Sequence, residues 1–166
     1  MNQWVVIKFG GTSVNSYENC LKINSITRKY NQKGEKVVVV CSALAGISDK
    51  LQTLIKLAPL NKHDSILEKI ISRHKQFCLD LGFEDFDQIL KQEIPELSRL
   101  CRGVSLIKEC SLACAAQIMS FGEIIVTKII YHWLRNQHRE VFWLDARDHL
   151  VSSKHKQSEG GDYQRQ

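Results

Sequence analysis

Two short, almost wholly apolar runs constrain what this chain can fold into. Residues 4 to 9 read Trp-Val-Val-Ile-Lys-Phe, and residues 37 to 41 read Val-Val-Val-Val-Cys. Neither alternates polar with apolar residues, which is the pattern of strands buried on both faces of a parallel sheet. Between them, Asn15 and Glu18 have capping-box spacing, and Leu21, Ile23 and Ile26 recur at roughly helical intervals. The segment predicts a helix over residues 16 to 30, ended by a turn through Asn31-Gln32-Lys33-Gly34. Strand, helix and strand in this succession form a βαβ unit, so the expected class is α/β.

Over the next stretch no comparable strand run occurs. Leu51, Leu54 and Ile55, then Ile66, Leu67, Ile70 and Ile71, then Leu97 and Leu100, then Leu106, Ile107 and Leu112 have helical spacing. They predict a helical insertion over about residues 49 to 119. Ser120 then opens a helix carrying Ile125, Ile129 and Trp133 on one face, closing near Asn136 before a third strand, Val141-Phe142-Trp143-Leu144. A domain over residues 1 to 151 results. Residues 152 to 166 are polar except for Tyr163, a composition that predicts a disordered tail.

Composition excludes several alternatives. The formal charge of +5 comes from basic residues spread along helical segments, without the basic, aromatic-interleaved stripe of a nucleic-acid binder. The six cysteines (20, 41, 78, 101, 110 and 114) contain no Cys-x-x-Cys and sit in apolar surroundings, the usage expected of reduced thiols in the cytoplasm. Cys110 and Cys114 would share a helix face, but no histidine stands at ligand spacing, so no metal site is expected there. The run from Trp4 to Ile7 is too short for a signal-peptide core, and no stretch approaches the roughly 20 apolar residues of a membrane span.

Four segments carry chemistry. Lys8-Phe9-Gly10-Gly11-Thr12-Ser13 sits where a strand gives way to a helix. Glycines there let backbone N–H groups approach a phosphate, and Lys8 is placed to neutralise it; equally, Gly-Gly can be a plain turn and Lys8 a solvated strand end. Ser42-Ala43-Leu44-Ala45-Gly46-Ile47-Ser48-Asp49 follows the second strand, at the edge where open α/β sheets bind ligands, with Ser48 either a substrate contact or the N-cap of the next helix. Ser120-Phe121-Gly122-Glu123 has capping-box spacing, and its carboxylate can alternatively receive an ammonium group. Asp145-Ala146-Arg147-Asp148 reads as a solvated turn.

In this order, the segments resemble the aspartokinases of the amino-acid kinase family. Residues 8 to 14, Lys-Phe-Gly-Gly-Thr-Ser-Val, resemble the family's N-terminal signature without a mismatch. Residues 42 to 48 resemble its Ser-Ala-x-x-Gly-x-Thr loop, with Ser48 replacing threonine, and Ser120 to Glu123 its Ser-x-Gly-Glu helix segment. The resemblance implies a carbamate kinase-like three-layer α/β/α sandwich with a mainly parallel sheet. It implies ATP-dependent phosphorylation of the side-chain carboxylate of L-aspartate to 4-phospho-L-aspartate, the entry to lysine, threonine and methionine synthesis, with Mg2+. By the same resemblance Lys8 is catalytic; Gly10, Gly11, Thr12 and Ser13 join it at the ATP phosphates; Ser42, Gly46 and Ser48 bind aspartate; and Glu123 binds its amino group.

Family members continue with an Arg-Gly-Gly-Ser-Asp motif and an adenine-binding half, and the complete protein is expected to form homo-oligomers. Gly160-Gly161-Asp162-Tyr163 lacks the arginine of that motif. The chain is therefore expected to be a partial catalytic domain, with a non-catalytic binding fragment as the alternative. A kinase of the same fold acting on glutamate, acetylglutamate, carbamate or UMP is a further alternative, opposed by the Phe9 to Ser13 and Ser120 to Glu123 segments. A weaker likeness points to aspartokinases fused to diaminopimelate decarboxylase.

Overall fold

A computed structural model describes residues 3–137 and 140–149; the polar segment 152–166 lies outside them. Strands β1 (Trp4–Phe9) and β2 (Lys36–Cys41) pair in parallel, Trp4 opposite Lys36 and Phe9 opposite Cys41. Helix α1 (Tyr17–Asn31) connects them. Its N-cap is Ser16, one residue after Asn15, and the Ser16 hydroxyl accepts from the Asn19 N–H at 3.3 Å. The buried stripe of α1 is Cys20, Ile23 and Thr27; Leu21 and Ile26 face outward, so only Ile23 of the expected apolar set is core. Gly34 closes the following turn with φ +79°, a left-handed conformation that glycine adopts at no steric cost.

The sheet departs from the expected burial on both faces. Phe9 and Cys41 are buried, and Ile7 and Val39 pack against the core, while Trp4, Val6, Val38 and Val40 stay exposed on the opposite face. An uninterrupted apolar run has thus produced alternating exposure, because among the described residues helices cover one face only. The third strand also differs. Residues 141–145 join no ladder, yet Phe142 and Leu144 point outward while Val141 packs against the core. Side chains of the last helix hold this segment instead: the Trp143 indole N–H donates to Thr127 Oγ1 at 3.2 Å, and Lys128 Nζ lies 4.3 Å from the Trp143 ring centroid. Asp145 then caps a 3-10 turn (Ala146–Asp148) by accepting from the Arg147 N–H and guanidinium, which makes this segment a turn.

The helices are α2 (Ile47–Leu57), α3 (Asp64–Asp80), α4 (Phe86–Ile89), α5 (Glu93–Ile107) and α6 (Leu112–Asn136). Helix α6 is the spine: it packs against α2, α3, α4, α5 and β2, burying Ile118, Phe121, Ile125, Ile129 and Trp133. It starts well before Ser120. Ser111 is the N-cap, accepting from the Cys114 N–H at 3.2 Å, whereas Ser120 Oγ donates to the Gln117 carbonyl at 2.7 Å inside the helix. Cys110 consequently lies outside the helix and shares no helix face with Cys114. By length and composition α6 could cross a membrane, but its apolar face is packed into this core. A part-buried ion pair, Lys128 Nζ to Glu93 Oε1 at 2.7 Å, ties α6 to α5.

Candidate functional site

The register of β1 and β2 brings two loops out side by side. Phe9 and Cys41 are partners, and the next residue, Ser42, donates its N–H to the Phe9 carbonyl at 3.0 Å. The Gly10-Gly11 segment and the Ser42 to Gly46 segment therefore leave the carboxyl edge of the sheet together, the edge where parallel α/β sheets bind ligands. Lys8 stands one residue before this edge, exposed and in register with Val40.

Ala43 is where the pieces meet. Its N–H donates to Glu123 Oε1 at 3.2 Å, a contact spanning 80 positions of sequence. A Cβ built on Gly11 would lie 2.6 Å from the Ala43 carbonyl oxygen, and one built on Gly122 would lie 2.8 Å from the Ala43 Cβ. Glycine at both positions lets the first loop and α6 close on Ala43 from two sides. Gly10, in contrast, has nothing within 4 Å of a built Cβ, which leaves its backbone open to an approaching group.

Glu123 sits within α6 and its carboxylate serves the second loop, so the capping-box explanation fails. Ser48 is not the N-cap of α2 either. That position belongs to Gly46, whose φ of +76° is left-handed and whose carbonyl accepts from Lys50 Nζ at 3.2 Å. Ser48 falls in the first turn of α2 with an exposed side chain. In the first loop, Gly11–Ser13 is a 3-10 turn in which the Ser13 N–H donates to the Gly10 carbonyl at 2.8 Å. Its amide is thus committed locally, and its exposed hydroxyl is the donor it can offer. Asn19 Nδ2 fixes the turn from α1 by donating to the Thr12 carbonyl at 2.8 Å.

The structure therefore brings Gly11, Ser42 and Glu123 into one assembly, with Lys8, Gly10, Thr12 and Ser13 on its rim and Gly46 and Ser48 one loop further along. Ala43 and Gly122 lie inside two of the quoted motifs, but sequence reasoning gave neither a role of its own; membership of those motifs was the only signal for them. Two shallow clefts of about 490 Å³ each occur elsewhere, one lined by Glu96, Gln117, Ser120 and Arg147 and one by Leu100, Val104, Ile107 and Cys114, and neither includes these residues. Among the described residues no cluster of three His, Cys, Asp or Glu groups is arranged to hold a metal ion.

The described geometry defines an α/β protein in which two strand-end loops and one helix meet at the carboxyl edge of the parallel strands. Sequence comparison makes it specific: the profile of the amino acid kinase family matches residues 3–164, and the chain belongs to that family. Among curated relatives, the bifunctional aspartokinase/homoserine dehydrogenase of Buchnera aphidicola is 27% identical over 155 residues, covering 89% of this chain and 19% of that protein. Aspartokinase 3, chloroplastic, of Arabidopsis thaliana is 31% identical over 134 residues, covering 78% of this chain and 23% of that one. The bifunctional relative carries homoserine dehydrogenase as its second part. Among solved structures, E. coli aspartokinase III in complex with aspartate and ADP superposes with a TM-score of 0.69 at 23% identity, over 88% of this chain and 32% of that one. The fold is shared, and this chain spans well under half the length of each of these proteins.

Proposed function

We propose that this chain carries the phosphoryl-transfer edge of an aspartate kinase, in which the γ-phosphoryl group of ATP passes to the side-chain carboxylate of L-aspartate. The observation that carries the reading is the convergence on Ala43: the Gly-Gly loop, the Ser42 to Gly46 loop and Glu123 are locked together at the carboxyl edge of the two strands. Aspartokinase relatives and the aspartate- and ADP-bound structural neighbour support it.

In this reading the substrate's own carboxylate attacks the phosphorus, so no protein nucleophile is needed and catalysis is positioning plus charge neutralisation. Lys8, a compact cation at the end of β1, stabilises the transferring phosphoryl group. Gly10 and Gly11 allow the backbone to approach the phosphates, and the Thr12 and Ser13 hydroxyls complete the cradle. Ser42 and Ser48 hydrogen-bond aspartate, Gly46 shapes their loop, and Glu123 receives the ammonium group while its Oε1 holds Ala43 in place. Mg2+ carried in with ATP would supply further charge neutralisation at the phosphates that Gly10 to Ser13 hold. The assigned compartment is the cytoplasm, from the free cysteines.

A second reading follows from the exposed Trp4, Val6, Val38 and Val40, which leave one face of the sheet uncovered among the described residues. In that reading the chain binds ligand without turnover. ADP release by the folded chain with MgATP, with and without L-aspartate, separates the two. Aspartate-dependent release that is lost in Lys8→Ala supports the kinase reading. Saturable MgATP binding with no release supports the second, and a folded chain that binds neither substrate contradicts both.

A further inference from the structure

The loop that follows the Gly-Gly turn is held from an unexpected direction. Arg73, in the middle of α3, places its Nη2 2.5 Å from Asn15 Oδ1 and 3.4 Å from the Asn15 carbonyl oxygen, across 58 positions of sequence. Both contacts are part-buried, and in both a charged donor meets a neutral amide group. Asn15 lies between the turn at Gly11–Ser13 and the Ser16 N-cap of α1, so the guanidinium grips the short linker between them. On the same helix the neighbouring His74 is fully buried, and its Nδ1–H donates to the Ile70 carbonyl at 2.8 Å. The helix is thereby seated in the core one residue from Arg73, so the guanidinium is presented from a rigid element.

We infer that Arg73 is a positioning residue for the phosphate-side loop: it ties the helical insertion to Asn15 and so fixes where Gly10 to Ser13 lie relative to Lys8. Asn19 holds the same turn through the Thr12 carbonyl, but from α1, the helix that continues directly from the linker. Arg73 adds a hydrogen-bonded link to α3, beside the packing of Gly11 on Ala43 and of the buried Val14 in the core. Its chemistry suits the task, because a planar guanidinium reaches a side-chain amide oxygen and a backbone carbonyl from one nitrogen with less loss of freedom than lysine. The consequence for nucleotide affinity rests on the function proposed above; the tether itself does not.

The test is amide hydrogen exchange on the full 166-residue chain, read at Ser13 and Asn19, whose N–H groups are bonded to the Gly10 carbonyl and the Ser16 hydroxyl. Arg73→Met keeps most of the stem and removes both contacts, and Asn15→Ala removes the side-chain acceptor at the other end while leaving the longer carbonyl contact. Each is expected to speed exchange at Ser13 and Asn19 about tenfold, the scale of one charge-assisted hydrogen bond, while amides of β2 and α6 stay unchanged. The double variant should be no faster than Arg73→Met alone, because that substitution already removes everything Asn15→Ala removes from the pair. Additive effects, or acceleration spread evenly over β2 and α6, would overturn the tether and leave Arg73 as general packing. In parallel, MgATP is titrated into each chain, and Arg73→Met is expected to weaken its binding about tenfold. If the unsubstituted chain does not bind MgATP while the exchange pattern holds, the functional reading fails and the tether stands. If it binds MgATP and the exchange pattern is absent, the tether fails and the functional reading stands.

Discussion

Gly10 and Gly11 are adjacent in one motif, yet alanine at the two positions should have opposite effects. Neither has a positive φ, and Gly10 is extended with φ −72° and ψ 171°, so backbone conformation permits alanine at both. Losing glycine's freedom in the unfolded chain then favours each variant by about 0.4–1 kcal/mol. At Gly10 nothing opposes this, since no atom lies within 4 Å of the new methyl. At Gly11 the methyl would sit 2.6 Å from the Ala43 carbonyl oxygen, a backbone atom of the residue whose own N–H donates to Glu123 Oε1. Overpacking of this kind costs about 1–3 kcal/mol. The unfolded-state contribution cancels between the variants, so their difference is the clash alone. For a chain of this size that is roughly 2–12 °C in Tm, Gly11→Ala the lower, measured by thermal unfolding followed by circular dichroism. Equal melting temperatures would refute the close approach of the two loops on which the site is built.

Glu123→Gln retains an acceptor for the Ala43 N–H and should leave stability within about 0.5 kcal/mol, whereas Glu123→Ala strands that amide and should cost about 1–3 kcal/mol in urea unfolding. If Glu123 receives the substrate ammonium group as proposed, the conservative variant should still lose aspartate affinity, because the carboxylate charge is gone. Lys128→Met leaves Glu93 buried without its cation and should destabilise by about 3–5 kcal/mol, more than the double variant with Glu93→Gln, by the same assay. Burial pushes His74 down to about 4, below its ordinary value. The folded state therefore resists protonation, so its contribution is fully present above about pH 6.5 and is lost as pH falls towards 4, by up to about 3 kcal/mol. His74→Leu should flatten stability against pH over that window, and an unchanged profile would contradict the buried neutral ring.

The βαβ start was legible because two β-branched runs and a helical repeat are local signals, and Phe9 to Ser13 identified the family before any geometry was known. Sequence could not tell that Val6, Val38 and Val40 would be exposed, since an apolar run records what a strand is built to meet, not what covers it in this chain. The start of α6 was misplaced at Ser120 because Ser120 and Glu123 satisfy the capping-box pattern locally, while Ser111 had only a serine to announce it. The same coincidence made Glu123 look like a cap. Its partner, Ala43, is remote in sequence, and a side chain reaching across a fold to a backbone N–H leaves no periodicity to read. Arg73 was silent for the same reason.

The most direct measurement is amide chemical-shift mapping of the 166-residue chain during titration with L-aspartate, alone and with MgATP. The proposed site predicts saturable shifts at Ser42, Ala43, Gly46 and Ser48 with aspartate, and at Lys8 and Gly10 to Ser13 when MgATP is added. Shifts confined to the cleft between α5 and α6, or none in a chain whose spectrum is that of a folded protein, would contradict the assignment of these loops.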